Sequence, residues 1–435
     1  MRHFTVNILY AVILLLIAPW GWADSPETPI TSDRVALPGH VLPALSMAQP
    51  VAAPSMALKR VAEPLTLTIV LRRSDPAGFE QYLRDVYDPQ SPQYLKFLNP
   101  EEVSDRFGPS QDDYDTVQAY FEQQGFTVAE GSRNRMTLTV AGVRSTAEKA
   151  LRIEIGDYVA GERQFFANAN EPTLPRTVAR KVQSVAGLSD LAVPRPQILK
   201  TIRIVFGAVI CDLEYATIYA GLFVAVANAN NGKPITPEQL QKIKDEAQKF
   251  LDKCVRNVVF AAYGLPVGND PPPPAWQGSD GTGQTIGLLE FDTFNPSDAA
   301  DFIRLIGLPE STFNRISQVH VNGGAGPTPG PDQDEVLLDI NTVLLIAPGA
   351  KIAVYDAPFT GANTSFQSLF NAMINGGVNI ISNSWSYCED QTTLADVQSI
   401  DAILQSAAAS GISVFNGSGD TGSTCLNGSP NTIGV

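Results

Sequence analysis

The sequence predicts an α/β protein: a doubly wound parallel sheet in the C-terminal third, preceded by a smaller α+β domain of split-βαβ, ferredoxin-like type. Three observations carry this. From Thr285 onward, short apolar runs alternate with segments of helical length, the pattern of buried strands and crossover helices. Between Leu65 and Pro194 the reading is strand, helix, strand, strand, helix, strand. A chain of 435 residues, 44% hydrophobic and 17% charged, suits two or three folded domains.

At the N-terminus, Arg2 precedes the apolar run Ile8 to Ile17, and Gly21-Trp22-Ala23 offers small residues at the two positions a signal peptidase reads. Residues 1–23 are expected to be a secretory signal cleaved after Ala23, so the protein is expected outside the cell. The run is short for a membrane anchor. Residues 24–64, rich in Pro, Ala and Ser, read as a flexible leader.

Residues 65–194 form the small domain. Leu65 to Leu71 is a strand run. Asp75 to Val86 and Gln111 to Gln124 are helical, the latter with Tyr114, Val117 and Phe121 on one face. Met136, Leu138 and Val140 alternate with threonines, as in a half-buried strand. Ser145 to Leu151 is a short helix, and Ile153 with Ile155 a closing strand.

Residues 195–267 read as a helical insertion. Asp212 to Ala229 is mostly apolar. Thr236-Pro-Glu-Gln239 matches a capping box. Leu240, Ile243, Ala247, Phe250, Leu251 and Cys254 then share one face. A membrane hairpin is opposed by Asp212, Glu214 and the short length. Residues 268–283, with Pro271 to Pro274, read as a linker. Gly281-Thr-Gly283 precedes a strand rather than following one, so it is not a dinucleotide loop. Four cysteines in an exported chain suggest disulfides of three alternative connectivities. Cys211 and Cys254 flank one segment, and Cys388 and Cys425 lie just past two strand runs; the expected pairing follows that order. Their spacing is no zinc pattern, and no metal site is read from the residues.

In residues 284–435, strand runs start near Thr285, Ile316, Lys351, Asn379 and Ile412. Helices are expected over Pro296 to Ile306, Glu335 to Ile346, Ser365 to Ile374 and Leu394 to Ala409, with Asn295 as an N-cap. Ligands of such a sheet bind at the carboxyl ends of its strands. Net charge is −15, and from Trp276 to Val435 there are 3 Lys+Arg against 16 Asp+Glu, a net of −13. That excludes nucleic-acid binding by phosphate neutralisation and suits work in acid, where carboxyls are protonated and self-repulsion falls.

Candidate chemistry collects at the carboxyl edge. Glu335 and Asp339, four residues apart, share one helix face. Glu290 ends the first strand, Trp385 the fourth and Asp420 the fifth. Each has an ordinary reading too. Acids in a first helical turn complement the macrodipole, and Asp332 or Asp334 could cap that helix. Glu290 could be a solvated loop acid, Trp385 a core anchor, and Ser-Gly-Asp420 a turn. Histidine counting narrows the choice. His3 is in the signal, His40 in the leader, and His320 in a strand run, where it reads as a core residue. A Ser-His-Asp triad is poorly supported; a carboxylate base oriented by a second carboxyl can serve a serine in an acidic medium.

Two sets of motifs resemble the sedolisin/kumamolisin-type serine-carboxyl peptidase precursors. Tyr94-Leu-Lys-Phe-Leu98 with Phe107-Gly-Pro109 resembles their activation propeptide. Glu335, Asp339 and Ala347-Pro-Gly-Ala350, with Ser-Gly-Asp420-x-Gly, resembles their catalytic domain. The resemblance implies a subtilisin-like sheet, inhibition by the chain's own propeptide, and a protein or peptide substrate. It implies Glu335 as general base, Asp339 as the acid behind it, and Asp420 as a protonated oxyanion donor. Glu290 and Trp385 would extend that network. The family's nucleophile lies in a Gly-Thr-Ser motif that does not occur here, and Ser429 does not match it. The calcium that the family implies has its ligands near the family's C-terminus, and they are absent. The expectation is a truncated precursor, inactive as it stands. A reading of a different class is a degenerate, non-catalytic homologue that binds peptides.

Overall fold

The computed structural model describes residues 33–51, 62–161, 163–196, 235–247, 280–358 and 366–418, with isolated positions at 222, 226 and 249. Strands β1 (Arg34–Ala36) and β2 (Gln49–Pro50) precede β3 (Pro64–Leu71). Helices α1 (Pro76–Tyr87), α2 (Pro100–Phe107) and α3 (Gln111–Gln123) follow, then β4 (Thr127–Gly131), β5 (Thr137–Val143) and α4 (Arg144–Leu151). The domain continues through β6 (Ile155–Ala160), β7 (Arg163–Asn168), β8 (Thr173–Pro175), α5 (Arg176–Ala179) and β9 (Val182–Ala186). Its main sheet is antiparallel in the order β4-β5-β3-β9, the split-βαβ arrangement. The helix starts are chemically explicit. The Asp75 carboxylate accepts from Gly78 N–H at 2.9 Å, Asn99 and Glu102 form a reciprocal capping box, and Ser110 caps Asp113 N–H.

Three expectations are corrected. The closing strand is Val182–Ala186; the run at Ile155 instead pairs with β7 and β2 in a separate three-stranded sheet. Residues 33–51, expected as flexible leader, are structured: β1 pairs with β8, β2 with β6, and Leu37 and Leu42 are buried. The thread-like composition hid this because its ordering comes from pairing with distant strands. The threonines of β5 do not face water. Leu65, Leu67, Ile69 and Leu71 of β3 and Leu138 and Val140 of β5 fill the small domain's core. The alternate residues Thr68, Thr137 and Thr139 are also buried, against the second domain.

The second domain holds β11 (Thr285–Glu290), α6 (Pro296–Leu305), β12 (Ile316–His320), α7 (Gln333–Ile346), β13 (Lys351–Asp356), α8 (Phe366–Asn375), β14 (Ile380–Asn383), β15 (Trp385–Ser386), α9 (Leu394–Ala409) and β16 (Ser413–Asn416). The strand order is β12-β13-β11-β14-β16 and every pair is parallel. Helices α6 and α7 pack on one face through Ile303, Val336, Ile340 and Leu344. Helices α8 and α9 pack on the other through Leu369, Met373 and Ile403. The chain reverses direction about β11, whose carboxyl end is therefore a topological switch point. Asn295 occupies the N-cap of α6 without a side-chain cap bond; its amide donates to Gln333 instead.

The capping box at Thr236 is present, with Gln239 N–H on Thr236 Oγ1 at 3.2 Å and Thr236 N–H on Gln239 Oε1 at 3.0 Å, opening a helix over 237–247. The rest of the expected hairpin, with Cys211 and Cys254, lies outside the described residues. No helix of the described residues is long and apolar enough to cross a membrane.

The two domains meet through apolar and polar contacts: Val70 of β3 packs in the second domain's core, and Ala409 of α9 packs with Phe79, Tyr82 and Phe107 of the small domain. Asn134 and Asn371 exchange amide hydrogen bonds at 2.6 and 3.0 Å, and Asn371 also donates to Thr137 Oγ1. Arg73 donates to Ala402 O and Ser406 Oγ of α9. After the small domain, β10 (Arg195–Pro196) pairs antiparallel with β15, Arg195 opposite Ser386 and Pro196 opposite Trp385.

Candidate active site

Glu290, Glu335, Asp339 and Trp385 gather at the carboxyl edge of the parallel sheet. Glu290 is the last residue of β11, a strand buried on both faces, and is itself fully buried. Trp385 is fully buried as well, its indole Nε1 donating to Glu290 Oε2 at 2.8 Å. Its ring sits edge-to-face on Phe291 with centroids 5.6 Å apart. The core-anchor reading and the site reading of Trp385 thus describe two ends of one side chain: an apolar ring and a polar N–H. Glu290 is no solvated loop acid.

Glu335 lies in the first turn of α7 and is 2% exposed. Asp339, one turn on, accepts the Ser384 hydroxyl on both oxygens, at 3.0 and 2.9 Å. Ser384 was not among the residues singled out from the sequence; its signal was adjacency to Trp385 on the same strand end. Asp332 occupies the N-cap of α7 but makes no side-chain cap bond, so capping does not account for the acids here.

Burial, reinforced by Asp339 and Glu335, holds the Glu290 carboxyl well above the usual range, against the opposing pull of the Trp385 hydrogen bond. Burial raises Asp339 to about 6, with the Ser384 hydrogen bond opposing. Crowded buried carboxyls disfavour each other's ionised forms, so the group takes up and releases protons as a set. Such a set can keep a proton at a pH where an ordinary carboxyl has lost it, and pass it to or from a bound group.

His320 departs from expectation. It is exposed rather than core, with its side chain 56% exposed, and its Nδ1 lies 2.8 Å from Oδ1 of the fully buried Asp356. It stands on the edge strand β12, two strands from β11, and none of the bonds above involve it. Asp420 and Cys425 lie outside the described residues. Cys388 is disulfide-bonded, its partner also outside them. Among the described residues no group of three or more His, Cys, Asp or Glu side chains converges to hold a metal ion.

Residues 59–191 match the model of the pro-kumamolisin activation domain. Xanthomonalisin of Xanthomonas sp. (strain T-22) is 33% identical over 130 residues, covering 30% of this chain and 16% of that protein. Kumamolisin of Bacillus sp. (strain MN-32) is 25% identical over 368 residues, covering 83% of this chain. The chain is a homologue of the sedolisin-family peptidases. Human tripeptidyl-peptidase 1 is 25% identical over 378 residues, again 83% of this chain. The chain spans 57% of the length of these last two proteins. The sedolisin homology covers the activation domain and reaches into the parallel sheet that carries the acids.

Proposed function

We propose that this chain is the N-terminal part of a secreted, acid-acting serine-carboxyl endopeptidase zymogen with a subtilisin-like catalytic sheet. One observation carries the reading: among the described residues, buried Glu290 and Glu335 and half-buried Asp339 gather at the switch point beside buried Trp385. In this reading Glu335 takes the proton of a serine hydroxyl as its oxygen attacks the peptide carbonyl. Asp339, held by Ser384, orients Glu335 and shares its proton. Protonated Asp420 donates to the oxyanion. Glu335 then returns the proton to the leaving amine, and water hydrolyses the acyl-enzyme. Glu290 and Trp385 keep the cluster dry and partly protonated, which favours acidic conditions. No residue of these 435 is assigned as the serine in this reading, and the chain spans 57% of the length of kumamolisin. Calcium enters no step here.

The pairing of β10 with β15 supports inhibition by the chain's own propeptide. The strand that follows the activation domain lies beside Trp385 as an extended peptide substrate would. The deciding experiment is to extend the reading frame past Val435 and assay autoprocessing of the product at pH 4. A downstream Gly-Thr-Ser and processing that Glu335→Gln abolishes support the enzyme; Asp420→Asn is expected to lose most turnover with the fold intact. Unchanged processing by Glu335→Gln removes Glu335 from its role, and a stop codon after Val435 favours the non-catalytic peptide binder.

A further inference from the structure

The loop from β12 to α7, residues 321–332, reads VNGGAGPTPGPD and contains neither strand nor helix. It nevertheless delivers Glu335 to a buried site. Such a loop has high conformational entropy, so something must fix where it ends. Asp292, two residues beyond Glu290, does so. It is 7% exposed. Its Oδ1 accepts Gly330 N–H at 2.7 Å and Thr293 N–H at 2.7 Å, and its Oδ2 accepts Asp332 N–H at 2.9 Å. Asp332 is the N-cap residue of α7, and its carbonyl accepts Glu335 N–H at 3.0 Å. The grip is close: a Cβ on Gly330 would lie 2.8 Å from Asp292 Oδ2. A weaker tie repeats one residue on, through Asn295 to Gln333 and Gln333 to Asp298.

We infer that Asp292 is a positioning residue for the site: its carboxylate anchors the start of α7 from the segment just past β11 and sets the depth at which Glu335 and Asp339 meet Glu290. The inference rests on the reading of Glu335 and Asp339 as site acids. Both Asp292 oxygens accept from backbone N–H donors, three bonds from one side chain, and bonds to a charged acceptor are the strong ones. A negative charge at a helix N-terminus adds to this. Among the described residues, the hydrogen bonds of the Asp292 carboxylate go to backbone N–H groups and to none of Glu290, Glu335 and Asp339; it acts through α7. An ordinary cap would stabilise the helix and leave the acids' protonation unchanged, whereas an anchor that sets their depth of burial also sets their pH of titration.

The test uses the 435-residue chain with Trp20, Trp22 and Trp276 replaced by Phe, so that fluorescence reports Trp385 beside Glu290. Variants are Asp292→Ala, Asp292→Asn, which keeps one accepting oxygen, and Gly330→Ala, which pushes on the carboxylate from the loop side. Amide exchange at Gly330 and Asp332 is expected to accelerate at least about tenfold in Asp292→Ala, less in Asp292→Asn, with β5 amides unchanged. The pH midpoint of Trp385 fluorescence is expected to fall toward the ordinary carboxylate range in the same order, and in Gly330→Ala. Unchanged exchange overturns the inference. Faster exchange with an unmoved midpoint also overturns it, reducing Asp292 to a cap. If Asp292→Ala does not fold, the other two variants decide. Neither readout needs peptide cleavage, so failure here leaves the peptidase reading standing, and an inactive longer chain would leave this anchor standing.

Discussion

The Trp385 indole donates a 2.8 Å hydrogen bond to Glu290, and both residues are fully buried. One comes from the end of β11 and the other from β15, ninety-five positions apart. The bond supplies the partner that a buried carboxyl needs, and it fixes the indole over the switch point where the other acids arrive.

Trp385→Phe leaves the ring contact with Phe291 and removes the donor. Glu290 then loses its indole partner, at a cost of about 1–3 kcal/mol. Urea unfolding of the two chains measures this. The hydrogen bond favours the ionised carboxyl, so its loss also drives the Glu290 carboxyl further up.

Asp339 makes the fold sensitive to pH in a defined direction. Its carboxyl titrates near 6 in the folded chain against an ordinary value of 3.8, so the folded state prefers the protonated form. The associated stability is fully present below about pH 4 and is lost as pH rises through 6. Asp339→Asn, which stays neutral and still accepts from Ser384, is expected to raise stability at pH 7 by up to about 3 kcal/mol and to change little at pH 3.5. Thermal unfolding at both pH values checks it.

His40 has the opposite sign. It is buried, its Nδ1 faces Leu37 O at 3.0 Å and its Nε2 accepts Val185 N–H at 3.0 Å, so the ring is neutral with the proton on Nδ1. Burial lowers its pKa below 6.5, against the pull of Asp396 of α9 and of Glu171; Tyr387 is the other titratable group lining the same cavity of about 60 Å³. Stability from this contact is full above pH 6.5 and is lost as pH falls toward the lowered value, because a second ring proton would face the Val185 N–H. His40→Gln is expected to flatten the pH dependence of Val185 amide protection between pH 6.5 and 4, measured by hydrogen exchange; an unchanged profile contradicts it.

Asn371→Ala should loosen the docking of the two domains. It strips Asn134 and Thr137 of their partner, a loss of about 1–3 kcal/mol. The double cycle with Asn134→Ala should return a coupling of about 0.5–3 kcal/mol, with susceptibility of the β9–β10 segment to an added protease as the readout.

Much of this was legible in the sequence. Periodicity located the parallel strands and their helices to within a few residues, because strands buried on both faces and helices with one apolar stripe must read that way. The Glu-x-x-x-Asp spacing on α7, the absence of a usable histidine and the motif resemblance pointed to the same edge of the sheet.

Tertiary structure decided what local pattern cannot encode. Which five-residue strand closes the small sheet, whether β5 threonines meet water or Asn371, and whether Pro/Ala-rich residues 33–51 fold all depend on partners a hundred or more positions away. His320 reads as a core residue by its neighbours but is exposed because β12 is an edge strand. Ser384 and Asp292 carry no signal of their own; each matters only because a distant backbone or carboxyl is brought within 3 Å of it. Periodicity records how each segment divides its faces between apolar and polar surroundings. The identity of the partner on each face is a property of the assembled chain.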